Sequence, residues 1–219
     1  NLSDVEHFNV SSKKGRRFRR KFSWLADRPL VVYTGAFGRI NGLTYLVEMA
    51  FEMKKLNQEI RFLLAGDGYE RNHLSNLAEK YGILNKTLFF INYLPKDQMP
   101  SLLSAATVTT SFFIDLPEMQ NNSANKFFDA LAAGKPIIIN YGGWQADLLR
   151  KTKAGLVVPS DDPRTAAEQL NTLISDQAAL RKMGTASKHL ASRFDVGTCF
   201  KLFAKSIDNA YDIHKRNIS

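Results

Sequence analysis

The sequence predicts an α/β protein with a doubly wound parallel sheet of about six strands, followed by a helical C-terminal segment. Two observations predict this class. From Pro29 onward, short β-branched or aromatic runs alternate with helical patterns. These runs are apolar with little alternation, as expected of strands that are buried on both faces of a sheet. The 219 residues, 44% of them hydrophobic, are enough for one sizeable core.

Each predicted strand is a short apolar run that ends at glycine or at polar residues. The first ends at Gly35, and the second ends at Gly66, Asp67 and Gly68. Residues of these types end extended structure and begin turns. We therefore expect strands at residues 30–34, 60–65, 87–91, 108–112, 137–139 and 155–158.

Apolar residues spaced three and four apart predict helices between the strands. The spacing is clearest for Leu43, Leu46, Val47, Ala50 and Phe51. Shorter helices are expected at residues 74–81, 96–105 and 125–133. The chain from Pro163 onward is also predicted to be helical. One face of its last segment carries Phe200, Phe203, Ala204, Ile207 and Tyr211.

The loops that follow the strands are the predicted functional region. A doubly wound sheet binds its ligand in the crevice beyond the carboxyl ends of its strands. In this chain those loops are residues 35–42, 66–70, 92–94, 113–126 and 140–144.

The formal charge of +9 is concentrated near the start of the chain. Residues 13–21 contain seven basic side chains and no acid, which leaves +2 on the remainder. Three interpretations of this run remain open: a solvated linker or the first turn of a helix, a surface that meets anionic phospholipid, and a contact with RNA or DNA. Phe18 is the only aromatic residue in the run, so base stacking is poorly supported.

Composition excludes several classes of protein. The apolar runs are all shorter than the roughly 18 residues that a membrane-spanning helix needs. A single cysteine, Cys199, allows neither an internal disulfide nor a cysteine-based zinc site, which favours a reducing compartment. The chain begins with Asn1 and polar residues, so we expect a piece of a longer chain with no visible secretory signal.

The loop after the first strand contains Gly35, Gly38 and Gly42. Its spacing matches neither the G-x-G-x-x-G pattern of dinucleotide-binding folds nor the P-loop pattern. Glycines at these positions allow the backbone to approach a phosphate beside a helix N-terminus. They are equally consistent with a tight turn between strand and helix, and both interpretations remain open.

Residues 121–129 are the richest candidate segment. Asn and Ser before an apolar run are typical of a helix N-cap, where unpaired N–H groups attract anions. Lys126 lies in the first turn, where a cation opposes the helix dipole unless a bound diphosphate reverses the balance. Asp129, one turn along, is placed to accept hydrogen bonds from two vicinal hydroxyls. An ordinary capped helix with a surface Lys–Asp pair is the alternative.

We expect no metal site and no cofactor. The sequence has no Asp-x-Asp pair to hold a metal-diphosphate, and its four histidines, His7, His73, His189 and His214, are far apart. No nucleophile elbow is present either. The chain is therefore expected to supply binding rather than a complete catalytic centre.

The ordered motifs from about residue 30 to residue 211 resemble the nucleotide-sugar-binding half of retaining glycosyltransferases of family 4, which have the two-domain GT-B fold. The motifs are residues 33–35 followed by 42–43, then 64–68, 91–95 and 129–137. Residues 122–129 are similar to a bacterial branch that acts in capsule and O-antigen assembly. The resemblance implies that the predicted sheet is the Rossmann-like half of a GT-B fold.

The resemblance also implies roles for individual residues. The family has two acids, seven residues apart, that face the sugar and the ribose; here the second is Asp129, and Asn121 replaces the first. Two cations that face the diphosphate in the family are replaced by Ala36 and Asn41. Arg39 and Lys126 are the candidates to replace these cations. The remaining implied contacts with the diphosphate are Gly35, Gly38, Ser123, Ala124 and Asn125. Asn122 is implied to contact the sugar, and Asn92, Tyr93 and Leu94 the base.

The implied organisation is a linker at residues 1–28, a donor-binding domain at 29–194 and a C-terminal crossover helix at 195–219. The expected partners are a nucleotide-sugar donor, an N-terminal acceptor domain that is missing here and an anionic membrane surface, but no nucleic acid. We expect the isolated half to be inactive, cytoplasmic and peripheral at the inner face of the membrane. A sugar-nucleotide epimerase or hydrolase half and a non-enzymatic binding module are the alternatives.

Overall fold

The computed structural model describes residues 2–216, within which six parallel strands form one sheet. The strands have the order β3-β2-β1-β4-β5-β6 and helices on both faces. This confirms the predicted doubly wound sheet, and every strand lies within one residue of its expected ends. The strands are β1 (Leu30–Thr34), β2 (Arg61–Ala65), β3 (Leu88–Ile91), β4 (Val108–Ser111), β5 (Ile137–Ile139) and β6 (Gly155–Val157).

The helices follow the predicted alternation, with additions at the N-terminus and after β5. Short 3-10 turns lie at Arg39–Asn41, Lys96–Gln98, Pro117–Asn121 and Ser192–Phe194. Within the described residues the α-helices are α1 (Val5–Phe8), α2 (Ser12–Arg19), α3 (Leu43–Leu56), α4 (Arg71–Lys80), α5 (Met99–Ala105), α6 (Asn125–Ala132), α7 (Trp144–Thr152), α8 (Pro163–Ser175), α9 (Gln177–Ala191) and α10 (Val196–Arg216).

Burial on both faces explains the nearly continuous apolar character of the strands. In β1, Val31 and Tyr33 belong to one core cluster, whereas Leu30 and Val32 belong to the other. The central position of β1 therefore requires apolar residues on each side of the sheet.

The carboxyl ends of β1 and β4 form the switch point of this topology. β1 pairs with β2 on one side and with β4 on the other, so the chain connections leave in opposite directions. Loops from the two halves of the sheet diverge at such a point and leave a crevice. The glycine loop after β1 and the segment before α6 both begin at this edge.

The N-terminal segment is folded against the domain. Ser3 is fully buried, and its Oγ donates to the carbonyl of Phe128 at 2.7 Å. Its backbone pairs with Phe194 and Val196. Phe8 and Phe18 are buried. From the sequence, the basic run could be a solvated linker or the first turn of a helix. The structure shows that it forms α2, a helix packed on the domain.

The role of residues 1–28 as a link between two domains stays a prediction, as does the crossover role of α10. Asn1 and residues 217–219, which belong to these two predicted segments, lie outside the described residues. The predicted apolar face of α10 is exposed at Phe200, Phe203, Ile207 and Tyr211.

Helix α7 was not predicted from the sequence, because only its preceding loop carried a clear signal. The loop makes a sharp turn at Gly143, which has φ +81. A Cβ atom at this position would lie 2.1 Å from the carbonyl oxygen of Gln120, so only glycine fits. No helix within residues 2–216 combines the length and the apolar character needed to cross a bilayer.

Candidate functional site

Lys126 reaches back from the first turn of α6 to the glycine loop after β1. Its Nζ donates to Oδ1 of Asn41 at 2.7 Å and to the hydroxyl of Tyr33 at 3.2 Å. Asn41 and Tyr33 in turn donate to the carbonyl of Ala36, at 3.0 and 2.9 Å. We call these four residues the Lys126 network. It ties α6 to the glycine loop across the switch point.

Burial changes the titration of this network. Desolvation lowers the pKa of Lys126 to about 8 and raises that of Tyr33. The ammonium also lies over two aromatic rings, 4.6 Å from the centroid of Tyr33 and 5.2 Å from that of Phe113. Lys126 therefore forms no surface pair with Asp129. Among the described residues no carboxylate pairs with it, so this cation is suited to an anion in the crevice.

The start of α6 is at Asn125, as predicted, but its capping differs from the prediction. The N-cap residue is Ala124, which makes no side-chain cap hydrogen bond. Asn122 uses its amide within the preceding turn: its Nδ2 donates to the carbonyl of Met119, and its Oδ1 accepts from the backbone N–H of Ala124 at 3.3 Å. The first N–H groups of a helix have no intrahelical partner, so this end attracts an anion.

Asn121 and Asn122, the predicted sugar-facing residues, lie at the end of a 3-10 turn. Asn121 is exposed, and the carbonyl of Asn122 accepts from Nε1 of Trp144 at 3.0 Å. The indole therefore fixes the turn that precedes α6. The structure brings Asn122 into loop packing, whereas the side chain of Asn121 remains open to solvent.

Asp129 is partly buried one turn beyond Lys126. Burial raises its pKa to about 6, while the charges of Lys96 and His7 act in the opposite direction and Asp4 adds to the rise. His7 lies in α1, and its Nε2 is 3.2 Å from the carbonyl oxygen of Lys96. No pattern in the sequence indicated that the N-terminal segment would lie beside Asp129.

The glycine loop has open space at Gly38. This residue has φ −104, and a Cβ atom added there would meet only Nδ2 of Asn41, at 3.8 Å. Gly42 differs, because its φ is +55 and an added Cβ would lie 2.8 Å from the backbone of Phe113. The fold therefore requires glycine at position 42, whereas position 38 leaves room for a ligand. At Gly35, φ is +134 and an added Cβ would lie 3.4 Å from the hydroxyl of Tyr33.

Arg39 is exposed. It lines a cavity of about 290 Å³ together with Tyr45, Phe113 and Asn140. Phe113 thus borders both this cavity and the ammonium of Lys126. Asn140 braces Phe113 by two hydrogen bonds to its backbone N–H and carbonyl, at 3.0 and 2.9 Å. Both predicted cations therefore lie near Phe113, Arg39 through the shared cavity and Lys126 over the ring.

The predicted base-binding residues follow β3. Asn92 lines a polar cavity of about 360 Å³ between the loops after β2 and β3, and Arg71 and Tyr69 line it too. The ring of Tyr93 is 67% exposed, whereas Leu94 packs against the core. This cavity offers hydrogen-bonding groups, and Tyr69 and Tyr93 are exposed beside these loops.

Metal binding has no visible basis in the part of the chain that the structure describes. Within that part, no group of three or more histidine, cysteine or acidic side chains is close enough to hold an ion. The expectation that ligand binding needs no metal stays a prediction.

A family model described as "Glycosyl transferases group 1" matches residues 15–190. The chain belongs to this family. Among curated relatives, it is 26% identical over 201 residues to D-inositol 3-phosphate glycosyltransferase of Corynebacterium urealyticum, covering 88% of this chain and 46% of that protein. It is 22% identical over 180 residues to α-D-kanosaminyltransferase of Streptomyces kanamyceticus, covering 81% of this chain and 45% of that one. The chain spans about half the length of these group 1 relatives.

Solved structures share the fold of this group 1 domain. HepE from Anabaena, solved with UDP, superposes with a TM-score of 0.83 at 17% identity, over 95% of this chain and 56% of that one. The C-terminal domain of a group 1 glycosyltransferase from Francisella tularensis superposes with a TM-score of 0.72 at 15% identity, over 88% of this chain and 98% of that domain. The predicted Rossmann-like half of a GT-B fold is therefore confirmed.

Proposed function

We propose that this chain is the donor-binding half of a retaining family 4 glycosyltransferase that moves a sugar from a nucleotide sugar to a glycan or lipid-linked acceptor. The observation that carries the proposal is the buried ammonium of Lys126, held between Asn41 and Tyr33 at the switch point. A cation that no carboxylate pairs with in residues 2–216, beside a helix whose N-cap makes no side-chain hydrogen bond, is suited to a diphosphate.

The donor diphosphate would lie between the glycine loop and the start of α6. In this arrangement Lys126 and the N–H groups of residues 123–126 bind the phosphates, with Gly35, Gly38 and Arg39 beside them. Asp129 accepts from the ribose hydroxyls, and the cavity at Asn92 holds the base with Tyr93 and Leu94. Asn121 and Asn122 face the sugar. HepE was solved with UDP and with UDP-glucose, which supports a nucleotide-sugar ligand for this fold.

The acceptor and the reacting groups would come from an N-terminal domain outside this chain, so we expect no transfer by this half alone. We further propose a cytoplasmic role in surface polysaccharide synthesis, at the inner face of the membrane. The motif at residues 122–129, similar to capsule and O-antigen enzymes, supports this context.

Calorimetric titration of the chain with UDP, GDP, ADP, CDP and dTDP tests the donor assignment. We expect one nucleotide to bind selectively and to raise the melting temperature, because a ligand of the native state stabilises it by mass action. Binding should persist in EDTA. Failure of all five nucleotides, or loss of binding in EDTA, would contradict the proposal.

A further inference from the structure

We infer that the outward face of α2 binds the headgroups of anionic phospholipids and holds the protein against a membrane surface. This deepens the proposed location at a membrane but does not depend on sugar transfer. The face carries six exposed cations, none of which forms an ion pair with a carboxylate in the described part of the chain. They are Lys13, Lys14, Arg16, Arg17, Arg20 and Lys21. We call this set the basic face.

The basic face is mounted rigidly on the domain. Gly15 packs so closely on α5 that an added Cβ would lie 2.7 Å from the backbone of Ser104. Phe18 is 3% exposed. Arg19 donates to the carbonyls of Ala105, Ala26 and Arg28, at 3.1, 2.9 and 2.8 Å. Because the apolar side of α2 is used inside the protein, contact with a membrane would be electrostatic, without insertion of this helix.

Two cavities flank α2, and each is lined by three basic side chains and one acid. The first, about 320 Å³, contains Lys14, Arg17 and Lys21 with Asp97. The second, about 300 Å³, contains Arg16, Arg19 and Arg20 with Asp27. Both are near the lower end of the volumes that hold small ligands. Their excess of donors suits the phosphate of a lipid headgroup.

The aromatic residues around α2 favour a bilayer over a single-stranded nucleic acid. Trp24 stacks on Phe89 with a centroid distance of 3.7 Å, and Phe22 packs between Trp24 and Phe18. These rings are occupied within the protein, whereas proteins that bind single strands expose rings for base stacking. A bilayer requires only a cluster of cations.

Co-sedimentation of the intact chain with lipid vesicles tests the inference. Vesicles of phosphatidylcholine alone are compared with vesicles that also contain phosphatidylglycerol. We expect binding to the anionic vesicles only, and weaker binding as salt is raised, because exposed charges are screened.

A matched pair of variants locates the contact. Lys14→Gln/Arg17→Gln/Lys21→Gln removes the cations of the first cavity and leaves Arg19 in place. We expect it to weaken vesicle binding on the order of 100-fold, since each cation near an anionic surface contributes several-fold. The control, Lys80→Gln/Arg181→Gln/Lys182→Gln, removes the same charge from exposed positions elsewhere and should bind almost as the parent does.

Equal loss of vesicle binding in both variants would overturn the inference, because net charge alone would then explain it. Stronger binding of single-stranded RNA than of vesicles, or equally tight binding of soluble glycerol phosphate, would overturn it too. If the first variant melts early, Arg16→Gln/Arg20→Gln tests the second cavity instead. Nucleotide affinity is measured on every protein, so a wrong donor assignment is detected separately.

Discussion

Nζ of Lys126 donates to Oδ1 of Asn41, a residue 85 positions earlier in the sequence, at a distance of 2.7 Å. The family resemblance places a lysine at position 41, and the structure shows an asparagine there that holds a lysine from another element. We propose that Lys126, from α6, takes the place of that lysine.

Lys126→Met should weaken the binding of the preferred nucleoside diphosphate more than that of its nucleoside, by about tenfold or more. The reason is the loss of a charge-assisted contact with phosphate, which contributes about 1.5–3 kcal/mol. Because burial already lowers the pKa of Lys126, removing its charge should leave the unliganded protein equally or more stable at neutral pH. Calorimetry and thermal melting measure the two effects.

Lys135→Met is the matched control. Lys135 is also buried, with its pKa lowered to about 8, but its Nζ donates to the carbonyls of Ser104 and Ala106. We expect this variant to keep its affinity for diphosphate. Equal affinity of the parent and Lys126→Met for diphosphate would show that Lys126 does not bind the diphosphate.

Asp129→Asn should weaken nucleotide binding about tenfold or more and leave the fold intact, because hydrogen bonds from ribose hydroxyls to a carboxylate are stronger than those to an amide. The control Asp147→Asn alters a carboxylate in a surface pair with Arg150 and should change nothing measurable. A collapse of the melting temperature in Asp129→Asn would instead make Asp129 structural.

The raised pKa of Asp129 also predicts how stability depends on pH. Its folded value of about 6 exceeds the model-peptide value of 3.8, so the folded state binds more protons between these values. The contribution of this group to the free energy of unfolding is therefore greatest below pH 4 and is lost as pH rises through 6. Denaturant titrations from pH 4 to pH 7 should show this fall in the parent but not in Asp129→Asn; identical slopes would contradict the assignment.

Affinity for a nucleotide sugar should have a bell-shaped dependence on pH. The diphosphate of a nucleotide sugar is esterified at both ends, so the ligand itself does not titrate near pH 6. Affinity should rise through pH 6 as Asp129 ionises and fall above pH 8 as Lys126 loses its proton, by about tenfold or more over each limb, as in the two variants. Asp129→Asn should remove the acid limb, and Lys126→Met the alkaline limb. If a variant keeps both limbs, the residue that it replaces is not responsible for either of them.

Two glycine substitutions should separate folding from binding. Gly42→Ala places a Cβ at φ +55 and 2.8 Å from the backbone of Phe113, so we expect a loss of at least about 1–2 kcal/mol in the free energy of unfolding. Gly38→Ala has neither problem and should melt like the parent but bind diphosphate more weakly. Unchanged affinity in Gly38→Ala would mean that the ligand does not approach this part of the loop.

The sheet and the start of α6 could be predicted because their signals are local: apolar runs, spacings of three and four, and glycines at the ends. The packing of α2 could not be predicted. The seven cations of residues 13–21 indicate an exposed segment, and they give no sign of the one buried ring, Phe18, or of the close contact of Gly15. The partners of Lys126 and Asp129 depend on which loops meet in three dimensions. From the sequence, Asn41 could therefore be interpreted only as the loss of a cation. No pattern indicated that His7 lies near Asp129.

The burial of Ser3 has a consequence for the order in which the protein can fold during its synthesis. Its hydrogen-bond partners, Phe128, Phe194 and Val196, are made long after it. At the usual rates of translation, roughly 10–40 seconds separate Ser3 from Val196. Ser3 therefore cannot form these contacts until almost all of the described domain has been made. Slowing translation near residue 196 should therefore prolong a state in which the N-terminal segment is undocked and open to proteases.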